Sequence, residues 1–128
     1  MFPNASPPRV KTFARYVLAL LFVAAGLNHF VNAEFYISIM PPVVPWHAEL
    51  VALSGVAEVL LGVLLLVRRT MTLAAWGLIA LLIAVFPANV HMALNPQLFP
   101  TASPVALWAR LPFQAVFIAW AYWFTRRA

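Results

Sequence analysis

Six residues with chemistry to offer sit in stretches that are otherwise apolar: Asn28, His29, Glu58, Asn89, Arg110 and Gln114. An imidazole, a carboxyl, a guanidinium and three amides could pass a proton or hold the polar head of a ligand. They could equally bond to one another and fix how helices pack. Glu58 stands out, because the chain has only three acidic residues and this one lies deep in the hydrophobic run Trp46–Val67. A carboxylate there is costly, so it must face protein or a cavity and find a partner. Ser54, Glu58 and Gly62 are four apart and share a helical face. Ser54 and Gly62 are small enough to let a second helix come close. The chain has no paired carboxylates for hydrolysis and no nucleophile beside a base. It has no cluster with metal-ligand spacing and no Gly-rich phosphate loop. Glu34, His47 and Glu49 match no ligand motif, so no metal is assigned. The lack of cysteine excludes thiol redox catalysis and thiolate metal sites.

The elements that must position these groups follow from composition. Of 128 residues 65% are hydrophobic and 9% charged, and the mean hydropathy is +0.93. That is the composition of a membrane protein. A spanning helix needs roughly 20 apolar residues. Four stretches qualify: 13–30, 46–67, 71–93 and 105–124. The expected fold is all-α, a single-domain polytopic bundle of four transmembrane helices.

The net charge of +5 does not point to nucleic acid, because the cations sit at helix ends and form no basic surface. Arg9, Lys11 and Arg15 precede the first span, Arg68 and Arg69 separate the second and third, and Arg126 and Arg127 end the chain. This alternation predicts cytoplasmic termini in a bacterial inner membrane. Val31-Asn32-Ala33 has the small-residue look of a signal-peptidase site. An uncleaved first helix fits better, since it completes an even bundle.

The connections carry their own signals. Residues 1–8 are Pro-rich and polar and read as disordered. Glu34–Met40 is amphiphilic and aromatic and suits the interface. Pro41-Pro42-Val43-Val44-Pro45 reads as a stiff strap leading to the anchor Trp46. Thr70 reads as the N-cap of the third span, and Ser103-Pro104 as a cap with proline at the first helical position. Pro87 removes a backbone donor and leaves the Ile83 carbonyl in need of another. Trp120, Tyr122, Trp123 and Phe124 read as an aromatic belt.

Helical rise sets the depths. At about 1.5 Å per residue, His29 lies roughly 21 Å above Arg15 and Glu58 roughly 18 Å below Trp46. Arg110 and Gln114 lie roughly 9 Å and 15 Å below Pro104. The polar residues thus occupy the outer half of the bundle, whereas the inner half is apolar between its basic ends. Such one-sided polarity suggests a pocket that opens outward, suited to a quinone head, a lipid head or a small aromatic. Arg110 could reach Glu58 or snorkel outward. His29 reads as an interface histidine bonded to a carbonyl, or as a ligand group. Asn28-His29 and Asn89 with His91 form a faint internal echo.

The order of Ala25–Phe30, the Pro41–Pro45 strap, Ser54–Glu58 with Gly62, and Ala84–Val90 resembles the DoxX family of small four-helix membrane proteins. The resemblance spans roughly residues 15–95. It implies a four-helix bundle in the cytoplasmic membrane. Some members of that family are subunits of a thiosulfate:quinone oxidoreductase. Others belong to oxidative-stress complexes, and distant animal members help to assemble receptors. Without cysteine or a haem or flavin motif, this chain is not expected to perform redox chemistry alone.

The expectation is therefore a non-catalytic subunit of a redox-linked membrane complex. It would hold a quinone or lipid and have no covalent or metal cofactor. Its partners would be the bilayer, a membrane oxidoreductase and, through its small residues, a second copy of itself. The alternatives are a structural or assembly protein without a ligand and, less favoured, a small transporter.

Overall fold

The computed structural model describes residues 8–99 and 103–126. Among them the protein forms five α-helices and no strand: α1 (Pro8–Val31), α2 (Ala33–Ser38), α3 (His47–Leu65), α4 (Met71–Leu94) and α5 (Pro104–Trp123). A single 3-10 turn, Pro96–Leu98, lies between the last two. Four helices are long and apolar enough to cross a membrane, namely Arg9–Val31, His47–Leu65, Met71–Leu94 and Pro104–Trp123. The all-helical, four-span expectation therefore holds. The expected N-terminal disorder, Pro100 and Arg127 fall on or run into residues outside those described.

Helix α1 packs on α3, α3 on α4, and α4 on α5. The bundle closes more loosely between α1 and α5, where the rings of Phe22 and Phe117 meet edge to face at 6.1 Å. Lys11 Nζ donates to the Arg126 carbonyl at 2.9 Å, so the first and last helices share an end. A core of Leu18, Leu65, Leu78 and Phe124, all fully buried, fills the bundle near that basic end. Phe124 thus belongs to the core and not to the expected belt.

Between lipid-immersed helices the hydrophobic effect gives little net drive, so close packing and hydrogen bonds must hold the bundle. The α1–α3 seam provides both. Along α3 the buried residues are Val51, Gly55, Glu58, Gly62 and Leu65, an alternation of four and three that keeps one stripe toward α1. A Cβ on Gly26 would lie 2.7 Å from the Gly55 carbonyl oxygen, and one on Gly62 would lie 3.0 Å from that of Ala19. Only glycine permits so close an approach of the two backbones.

Two helix ends depart from the sequence reading. Helix α1 begins at Pro8, ahead of the expected Phe13, and so carries Arg9, Lys11 and Arg15. Arg15 is 6% exposed, and its Nη1 donates to the Leu65 carbonyl at 2.7 Å. A cation on the last carbonyls of α3 satisfies orphan acceptors and opposes the helix dipole. Thr70 precedes α4 but does not cap it with its side chain. Its Oγ1 donates instead to the Leu64 carbonyl at 2.7 Å. Here the end of α3 competes for the hydroxyl and wins. Ser103 does cap α5, accepting from the Ala106 amide at 3.1 Å, with Pro104 at the first turn.

Candidate functional site

The seam set by Gly26 and Gly55 decides what His29 meets. With the backbones this close, the His29 ring lies beside Glu58, and Nε2 stands 3.4 Å from Oε2. That is long for a hydrogen bond and within reach of an ion pair. Both residues are buried, at 8% exposure each. On the other side of the ring, Nδ1 is 2.9 Å from the Ala25 carbonyl. A carbonyl only accepts, so Nδ1 carries a proton. The Nε2–Oε2 contact then holds either one proton between two neutral groups or an imidazolium–carboxylate pair.

Helix α2 completes this wall. The Tyr36 ring stacks on His29 at 4.0 Å with 14° between planes. Asn28 Nδ2 donates to the Tyr36 hydroxyl at 2.6 Å, and Asn28 Oδ1 accepts from Asn32 Nδ2. The last turn of α1, with Asn32 at the start of α2, thus fastens α2 over the buried histidine. The sequence reading assigned the α2 segment to the interface but gave Tyr36 no role. The available signal was an aromatic residue placed shortly after an intramembrane histidine, on a segment with an amphiphilic pattern.

The opposite wall comes from α4 and α5. Arg110 Nε donates to Asn89 Oδ1 at 3.0 Å. Asn89 Nδ2 donates to Gln114 Oε1 at 2.6 Å, and Gln114 Nε2 donates to the Leu82 carbonyl. The donors run one way along this chain, so each bond fixes the orientation of the next amide. Both amides are buried. The Ile83 carbonyl, which Pro87 was expected to leave in need of a donor, is not the one that receives this bond. A side chain from α5 serves Leu82, and α4 stays helical through Pro87.

A cavity of about 360 Å³ separates the two walls. Ser54, Glu58 and His29 reach it from one side, and Asn89, Arg110 and Gln114 from the other, while Phe22, Val85 and Phe117 are among its apolar surfaces. Its size falls at the low end of small-molecule sites. Five of the six sequence candidates line it, and the sixth, Asn28, sits behind it as the support for Tyr36.

One contact that the sequence left open is not formed. Among the described residues Arg110 makes no ion pair with Glu58. The carboxyl partners His29 and the guanidinium partners Asn89. The two Asn/His pairs have different surroundings. His91 pairs with Asn95 on its own segment, through Nδ1 at 3.3 Å, and meets the Phe99 ring edge-on. Among the described residues it makes no ion pair with a carboxyl.

Residues 18–125 match the model of the family described as Domain of unknown function (DUF8561), and the chain belongs to that family. No curated protein and no solved structure matches it significantly. The family match overturns the resemblance to DoxX.

Proposed function

We propose that the protein is a multi-pass protein of a bacterial cytoplasmic membrane that holds the polar head of an amphiphile, a lipid or a quinone, between α1–α3 and α4–α5. The observation that carries this reading is the cavity faced by two separate polar walls within apolar surroundings. A site of that kind orients a head group by a few polar contacts and leaves its chain among apolar side chains. The basic end, with Lys11, Arg15 and Arg126, faces the cytoplasm in this reading, which places the cavity toward the outer leaflet. No catalytic residue is assigned. The oxidoreductase partner expected from the sequence rested on the resemblance to DoxX and forms no part of the proposal. Self-association remains open to it, because only 17% of the best window of α5 is buried within the bundle.

Native mass spectrometry of the protein released from its own membranes in mild detergent tests this reading. The expected result is one class of bound amphiphile, lost in Val85→Trp, which fills the cavity. A protomer carrying only bulk lipid, unchanged by the plug, would refute it.

A second reading is favoured by one observation: Asn89, Gln114 and the Leu82 carbonyl satisfy one another without a ligand. The polar core would then serve helix packing alone. In that case Glu58→Leu keeps or raises thermal stability, as apolar replacements of buried pairs often do, and unfolding of that variant counts against it.

A further inference from the structure

The charges around the cavity do not balance, and the imbalance says what kind of head group it takes. Of the three acidic residues in the chain, Glu34 and Glu49 are exposed and Glu58 is beside His29. Neither α4 nor α5 contains an Asp or Glu. Arg110 therefore stands on the cavity wall with no carboxylate partner among the described residues. Its Nε is committed to Asn89 Oδ1, and Asn89 is fixed in turn by Gln114. That bond holds the guanidinium by one edge, while no protein acceptor is bonded to Nη1 or Nη2 among the described residues. A guanidinium in apolar surroundings without a counter-charge is costly. Its free edge is a planar fork that matches two oxygens of a carboxylate or phosphate.

We infer that the cavity is a site for an anionic amphiphile, with the carboxylate or phosphate head bound by Arg110 and the acyl chain lying among the aromatic and aliphatic surfaces. This rests on the amphiphile reading above and narrows it. Neutral head groups, including quinones, then bind more weakly. Asn89 and Gln114 act as positioning residues that hold the guanidinium at the depth of the cavity and keep it from turning outward.

The test uses the purified full chain in an uncharged maltoside detergent, titrated with laurate, dodecyl phosphate, dodecanol and inorganic phosphate. Laurate or dodecyl phosphate is expected to bind about 10- to 100-fold more tightly than dodecanol, the range of a charge-assisted contact. Arg110→Gln should bring the anion and the alcohol to parity. Arg110→Lys, which keeps the charge and loses the fork, should retain part of the preference. Displacement of laurate by inorganic phosphate would assign a free anion as occupant, and its failure an acyl-bearing one; the anion site stands in both cases. Equal binding of laurate and dodecanol, with both lost in Val85→Trp, would overturn the anion inference and leave the amphiphile cavity standing. Binding of none of the four would end both. The comparison within the wild-type protein needs no variant to fold.

Discussion

Replacing Gly26 by alanine tests the seam on which the site depends. The new Cβ would stand 2.7 Å from the Gly55 carbonyl oxygen, 2.7 Å from Val59 Cγ2 and 2.9 Å from the Val59 amide nitrogen. Two of these are backbone atoms of α3, so no rotamer change relieves the clash and the helices must part. Overpacking of this kind costs about 1–3 kcal/mol, and two rigid contacts put it in the upper half of that range. Alanine returns up to about 1 kcal/mol of helix propensity. The net expectation is a loss of about 1–2 kcal/mol. Gly77 supplies the control. The nearest atoms to its added Cβ all belong to the Leu61 side chain, at 2.8 Å for Cδ2 and 3.2 Å for Cδ1. Those atoms can swing aside, so the propensity gain should leave Gly77→Ala neutral or slightly stabilised. The assay is reversible unfolding in mixed micelles with increasing denaturing detergent, read by tryptophan fluorescence. Gly26→Ala as stable as wild type, or Gly77→Ala harmed as much as Gly26→Ala, would refute the packing argument.

Further outcomes follow from single contacts. Arg15→Ala strips the Leu65 carbonyl of its buried donor and should cost about 1–3 kcal/mol, with partial rescue by lysine, measured in the same unfolding assay. Tyr36→Phe keeps the stack on His29 and removes the hydroxyl that Asn28 holds. It should cost about 1 kcal/mol and raise hydrogen exchange in 33–38 while leaving α4 unchanged; unchanged exchange in that helix would remove its role as a fastened cover. Ser103→Ala should lower stability by about 1 kcal/mol through loss of the α5 cap, and Ser103→Asp should restore it.

Much of the architecture was legible because a bilayer constrains sequence severely. Four apolar stretches, the Ser103-Pro104 start and the polar residues of each span could be read locally. Their gathering at one level followed from helical rise alone. What could not be read was rotation. Which residue faces Glu58 depends on the contact of Gly26 with Gly55, and that contact joins residues far apart in sequence. The reading therefore offered Arg110 as a partner where the fold supplies His29. Arg15 looked like an ordinary basic flank, because its acceptor, the Leu65 carbonyl, lies 50 residues on. Thr70 looked like a cap for the helix after it, because local rules do not reveal that the helix before it has carbonyls to satisfy. Short motifs misled as well, because the order of a few Gly, Asn, Pro and His residues does not by itself define a family.

An amphiphile head held between the two polar walls should be captured there in the membrane itself. Photo-crosslinking in intact membranes tests it most directly. A photoreactive benzoyl-phenylalanine at Phe117, which lines the cavity, is compared with one at Phe13, which is 70% exposed and faces outward from the bundle. A single class of adduct is expected at 117, abolished by Val85→Trp, and the bulk lipid mixture at 13. The same bulk mixture at both positions, unaffected by the plug, would contradict it.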